Sequence, residues 1–162
     1  MLNRSMPNSF CDLHPQKDRE PINHYQNAQS NSPSPALDGL RVFVVDDNAD
    51  NLKLVKIIFE EYQAEVETAT SVDEAIEVIE EWKPDILISD ISMPHKDGYS
   101  LIRSIRIKEA EVGGFLPAVA LTGCVFPENS RLVFNAGFQM FILKPFEALE
   151  LVAVVAKLTG RT

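Results

Sequence analysis

Four short, nearly continuous apolar runs, each ending in a polar residue, constrain this chain more than any other feature. Arg41-Val42-Phe43-Val44-Val45 ends in Asp46-Asp47, and Asp85-Ile86-Leu87-Ile88-Ser89 ends in Asp90. Leu116–Leu121 ends in Thr122-Gly123, and Met140–Leu143 ends in Lys144-Pro145. Runs of this length that do not alternate are the pattern of strands buried on both faces. A fifth strand fits Glu65–Ala69 and brings no polar residue of note at its end.

Between the strands the period changes to that of a helix. Leu52, Val55, Ile58, Phe59 and Tyr62 form one apolar face, and Leu101, Ile102 and Ile105 another. Ser71-Val72-Asp73-Glu74 reads as a capping box opening a helix whose face is Val72, Ala75, Ile76 and Ile79. Pro84 breaks the chain after it, and Gly113-Gly114 marks a turn. Residues from about Pro127 to Ala136 form a fourth helix stopped by Gly137. Leu151, Val154, Val155 and Leu158 place a closing helix. Strand and helix alternate five times. The expected fold is therefore α/β, an open five-stranded parallel sheet with helices on both faces. Its common strand order is 2-1-3-4-5, with the site at the carboxyl ends of strands 1 and 3.

Residues 1–38 differ in kind, being rich in Asn, Ser, Pro and Gln, with apolar residues scattered without period. Such a segment buries too little surface to offset its ordering entropy, so it reads as a disordered polar tail before a domain over 39–162. The tail holds three basic and four acidic residues, which leaves −8 of the formal −9 in residues 39–162. An acidic domain without a basic stripe does not bind nucleic acid or an anionic membrane through its field. No apolar run nears the roughly 20 residues of a membrane span, and the start lacks the pattern of a signal peptide. A cytoplasmic location is expected. Cys11 and Cys124 read as plain thiols of a reducing compartment. His14 and His24 read as incidental tail residues and His95 as a solvated loop residue.

In the 2-1-3-4-5 order the polar strand ends Asp46, Asp47, Asp90, Thr122 and Lys144 converge on one crevice. Two carboxylates 4 Å apart repel by about 4 kcal/mol at an effective dielectric of 20. One ammonium does not offset three such charges, whereas a hard divalent cation with oxygen ligands does, so the cluster predicts a Mg²⁺ site. A carboxylate can act as nucleophile and form an aspartyl phosphate. Metal and lysine would neutralise the charge opposing attack on phosphorus, and the threonine hydroxyl would donate to a phosphoryl oxygen. No general base for fast hydrolysis is evident, which suits a signal better than a turnover enzyme.

Residues 40–158 resemble a response-regulator receiver domain of two-component signalling. The matching pieces are Val44-Val45-Asp46-Asp47-Asn48, Ile88-Ser89-Asp90-Ile91-Ser92-Met93-Pro94, Asp97-Gly98, Leu121-Thr122-Gly123 and Leu143-Lys144-Pro145-Phe146. The resemblance implies a flavodoxin-like receiver with Asp90 as phospho-acceptor. Asp47, Asp90 and the Ser92 backbone carbonyl would ligate Mg²⁺, Asp46 acting largely through water. Lys144 would pair with the acceptor or the phosphoryl group, and the Lys144–Pro145 bond would be cis. Thr122 would turn toward the phosphoryl group while Phe141 moves inward, and the surface of the fourth helix, fifth strand and fifth helix would carry the switch to a downstream protein. The phosphoryl donor would be a histidine kinase or phosphotransfer protein.

Two departures bear on the phosphorylated state. Phe141 stands where many receivers carry Tyr, so the switch would be read by packing alone. Ser92 and Cys124 leave its lifetime open. A phosphatase with an aspartyl-phosphate intermediate is the rival reading, but such enzymes usually carry Asp-x-Asp after strand 1. A phosphorylation-independent binding domain would lack one of Asp47, Asp90 or Lys144. Only Thr159–Thr162 follow the last helix, so the expectation is a stand-alone or phosphorelay receiver whose output is binding.

Overall fold

The computed structural model describes residues 37–123 and 127–161. The polar tail up to residue 36, with His14, His24 and Cys11, and Cys124 in the segment after strand 4, lie outside the described residues.

The elements alternate along the chain as β1 (Arg41–Val45), α1 (Ala49–Glu61), β2 (Glu65–Ala69), α2 (Val72–Trp82), β3 (Ile86–Asp90), α3 (Gly98–Val112), β4 (Ala118–Thr122), α4 (Pro127–Ala136), β5 (Met140–Leu143) and α5 (Ala148–Leu158). The strands form one sheet in the order β2-β1-β3-β4-β5, every pairing parallel. β3 and β4 are buried at all five positions. That explains why these runs show no alternation in sequence. β2 is an edge strand, with Val66 buried in one core and Ala69 in the other while Glu65 and Glu67 are exposed.

Because neighbouring strand residues point to opposite faces, the core is split in two. Val42, Val44, Ile86, Ile88, Val119 and Leu121 pack under α1 and α5. Phe43, Val45, Leu87, Ala118 and Ala120 pack under α2, α3 and α4. Leu37, read from sequence as tail, is fully buried in the first of these cores, and its N–H donates to the Tyr62 carbonyl at 3.3 Å.

The helix starts are set by side chains that accept orphan N–H groups. Asn48 Oδ1 caps α1 by accepting from Asp50 and Asn51, and Asp97 Oδ1 caps α3 by accepting from Ser100. Ser71 Oγ caps α2. The return arm of its box differs from expectation. Glu74 accepts from the N–H and hydroxyl of Thr70, both at 3.0 Å, so the box closes one residue earlier than the motif alone implies.

Two strands begin later than the apolar runs. Asp85 precedes β3, its N–H donating to the Arg41 carbonyl and its carboxylate accepting from the Arg41 N–H, both at 2.8 Å. β4 begins at Ala118 because the Leu116 N–H is taken by the Glu109 carboxylate and Pro117 has no N–H to give.

The end of the sheet away from the strand carboxyl termini is tied by polar bonds. Arg106 of α3 donates to the Gly137 carbonyl through Nε and Nη2, to Gln139 through Nη2, and to both oxygens of Glu109 through Nη1. Gln139 Oε1 in turn accepts from the Ala118 N–H. No helix of the described residues is long and apolar enough to cross a membrane.

Candidate functional site

The hydrogen-bond ladder carries each strand's last polar residue to the same rim. The Asp46 N–H donates to Ala69, the Ile91 N–H to Leu121, and the Lys144 N–H to the Thr122 carbonyl at 2.8 Å. These bonds tie β1 to β2, β3 to β4 and β4 to β5, and the parallel register that sets Val45 beside Ser89 holds β1 in step with β3, so the carboxyl ends meet. Asp46, Asp47 and Asp90 each place a carboxylate oxygen within 4.8 Å of the others. Lys144 Nζ lies 3.4 Å from Asp90 Oδ1 and 3.5 Å from Asp46 Oδ2. The four charged residues expected to converge do converge.

Burial differs among them. Asp46 and Asp90 are 2% and 6% exposed, whereas Asp47 faces solvent. The Asn48 N–H donates to Asp46 Oδ1 at 2.9 Å, and the Asn51 amide donates to Asp46 Oδ2 at 3.2 Å. The Ser92 N–H donates to Asp90 Oδ1 at 3.3 Å. Burial pushes the Asp90 carboxyl above its ordinary value. Lys144 pulls it down, Asp46 pushes it up, and the hydrogen bonds from Lys144 and Ser92 pull it down, leaving a net rise.

Thr122 is buried at the end of β4, between β3 and β5. Phe141 is not part of the acidic cluster. It lies in β5 on the face of α2, α3 and α4, with its ring 5.8 Å from that of Phe134 on α4. The Lys144–Pro145 peptide is cis, as the resemblance implied. His95 is exposed in the loop after β3.

Two contributors were not singled out from sequence. Asn51 reaches Asp46 from the first turn of α1; the signal was its place three residues after the cap Asn48, where a side chain turns back toward the strand end. In the sequence Gly98 stands out only as part of the Asp97-Gly98 motif. A Cβ on it would lie 2.4 Å from the Asp90 carbonyl oxygen, so only glycine lets α3 start this close to β3.

The donor set fits a divalent cation. Three carboxylates face one ammonium, and among the described residues no cationic side chain pairs with Asp47. A cavity of about 740 Å³ lies elsewhere, at the amino end of β3 and β4 between α2 and α3. It holds no comparable constellation: its acids Glu80 and Glu109 are paired with Lys108 and Arg106. Among the described residues, the strand-end cluster is where three carboxylates and an ammonium converge.

Residues 42–156 match the family model for the response regulator receiver domain. This chain belongs to that family. The receiver is 36% identical over 114 residues to an uncharacterized 14.6 kDa protein of Leptolyngbya boryana, covering 70% of this chain and 86% of that one. It is 35% identical over 121 residues to the sensor protein GacS of Pseudomonas syringae pv. syringae, covering 74% of this chain but only 13% of the relative. Among solved structures, the chemotaxis protein CheY4 of Vibrio cholerae superposes with a TM-score of 0.69 at 26% identity, covering 74% of this chain and 98% of that one. The Francisella response regulator 1452 receiver domain gives 0.69 at 28% identity, covering 76% and 98%. The fold is thus that of a CheY-like signalling domain, and its relatives include receivers within histidine kinases.

Proposed function

We propose that this receiver accepts a phosphoryl group on Asp90 from a phosphohistidine of a histidine kinase or phosphotransfer protein. The observation that carries the reading is the meeting of Asp46, Asp47, Asp90 and Lys144 at one strand-end rim. An Asp90 carboxylate oxygen attacks phosphorus, the P–O bond forms as the P–N bond breaks, and the imidazole leaves with the electron pair. Asp47, Asp90 and the Ser92 carbonyl would hold Mg²⁺, with Asp46 beside them. A bound cation supplies neutralisation of charge on the acceptor and the phosphoryl oxygens. Lys144 adds a second positive group, already within 3.4 Å of the acceptor. Thr122 supplies a hydroxyl next to the acceptor strand.

The output is a change of binding surface rather than turnover of a substrate. Thr122 and Phe141 would couple the acceptor to the α4, β5 and α5 surface. Its exposed apolar residues Leu132, Phe134 and Leu149 suit a downstream protein contact. The ring of Phe141 has no hydroxyl, and its neighbour is the Phe134 ring, so packing alone would carry the change. The setting would be a phosphorelay in the cytoplasm, and relatives that are sensor and hybrid histidine kinases support the phosphorelay. Within it the domain catalyses no more than its own phosphorylation and slow dephosphorylation.

The test is incubation with acetyl phosphate, with and without Mg²⁺, followed by intact mass. One phosphoryl group is expected, dependent on the cation and absent in Asp90→Asn. Labelling of Asp90→Asn at the wild-type yield would overturn the assignment.

A further inference from the structure

Asp46 is 2% exposed, and a carboxylate so buried needs donors. Its Oδ1 accepts from the Asn48 N–H at 2.9 Å. Its Oδ2 has two neighbours, the Asn51 amide at 3.2 Å and the Lys144 ammonium at 3.5 Å. Lys144 is shared with Asp90, so it cannot be the dedicated partner of Asp46. Asn51 is. Its own N–H is bound by the Asn48 cap at 3.2 Å, which anchors its backbone before the side chain reaches across to Asp46.

The residue type matters. The first turn of a helix favours acids, because its N–H groups and the helix dipole attract negative charge, by about 0.3–1 kcal/mol. Asp50 follows that preference at the neighbouring position. At position 51 an acid would face Asp46 and add a fourth carboxylate to the cluster. A neutral amide gives the donor without the charge.

We propose that Asn51 is a positioning residue of the cation site. It holds Asp46 in the orientation that keeps the three carboxylates converged against their mutual repulsion. The inference rests on the metal-dependent reading above. It predicts an effect on cation affinity rather than on the maximal rate of acceptance, since Asn51 touches neither Asp90 nor Lys144 through any hydrogen bond or ion pair. Outer partners of metal ligands typically govern affinity by about 10- to 100-fold. The low end applies here, because Asp46 retains Asn48 and Lys144 and stands beside the direct ligands rather than among them.

The experiment is calorimetric titration of the full chain with Mg²⁺ alone, no phosphodonor present, for wild type, Asn51→Ala and Asn51→Gln. Alanine is the best helix former and preserves α1; glutamine retains an amide one methylene further out. Asn51→Ala should bind Mg²⁺ about 10-fold more weakly, with its cation-free urea midpoint near wild type. Labelling by acetyl phosphate at saturating Mg²⁺ should recover to near the wild-type rate, and Asn51→Gln should regain part of the affinity. Wild-type affinity in Asn51→Ala overturns the proposal. So does a labelling rate that stays low at saturating Mg²⁺, or glutamine behaving no better than alanine. Wild type that takes up no Mg²⁺ would overturn the parent reading as well, a result visible before any variant is compared.

Discussion

Gly98→Ala sets two physical rules against each other. Glycine is the poorer helix former by about 1 kcal/mol in a helix interior. Residue 98 opens α3 with no positive φ, so propensity alone predicts that alanine stabilises the protein. The packing predicts the reverse. The added Cβ would sit 2.4 Å from the Asp90 carbonyl oxygen and 3.0 Å from Ile91 Cα. Both are backbone atoms and neither can rotate away. The start of α3 must retreat, stretching the bond from the Gly98 N–H to the Ile91 carbonyl, now 2.9 Å. Overpacking costs about 1–3 kcal/mol and a weakened backbone bond about 1. Set against the propensity gain, the net loss is about 2 kcal/mol. With a urea slope of about 2 kcal/mol/M the midpoint should fall by about 1 M. The displaced atoms belong to the proposed acceptor, Asp90, and its neighbour Ile91, so labelling by acetyl phosphate should slow by about 10-fold or more. An unchanged or raised midpoint would refute the steric argument.

Other consequences can be checked as readily. Burial raises the Asp90 carboxyl above its ordinary 3.8, so the folded state binds more protons there than the unfolded state, and stability is lost as pH rises through that range to the folded value. Asp90→Asn removes this cost; in metal-free buffer its melting temperature should exceed wild type at neutral pH, with the difference shrinking as pH falls toward 3.8. Mg²⁺ should stabilise wild type against heat and have little effect on Asp90→Asn, as linkage requires of a ligand that binds only the folded site. Arg106→Leu leaves the Gly137 carbonyl with only the Gln139 amide and the largely buried Glu109 carboxylate with only the Leu116 N–H, and should cost about 1–3 kcal/mol in urea denaturation while leaving labelling of Asp90 intact. Phe141→Ala should be labelled normally yet lose phosphorylation-dependent binding to a partner; unchanged binding would remove Phe141 from the switch.

The fold was readable because parallel strands covered on both faces leave unbroken apolar runs, and because Pro84, Gly113-Gly114 and Gly137 punctuate them. The charged site was readable for a related reason: once the order 2-1-3-4-5 is granted, Asp46, Asp47, Asp90 and Lys144 share a rim by topology alone. What stayed hidden depends on approach in space. The role of Gly98 comes from the Asp90 carbonyl eight residues away, and that of Asn51 from the rotation of the first turn of α1. Leu37 looked like tail because one leucine beside Pro33-Ser34-Pro35 has no period. Its burial depends on β2 and α1 already being in place. The late start of β4 follows from the Glu109 side chain, which competes for a backbone N–H group, and apolar patterning does not register that.

The polar ties of Arg106, Glu109, Gly137 and Gln139 sit at the pole of the sheet opposite the acids. Gly98 aside, these ties and the charged cluster are therefore vested in different residues. The rim acids can stay electrostatically crowded, an arrangement compatible with a cation, because the polar ties of the opposite pole do not involve them. Drift among the rim acids would retune signalling while the scaffold persisted, and drift at the opposite pole would erode the scaffold before it touched the chemistry.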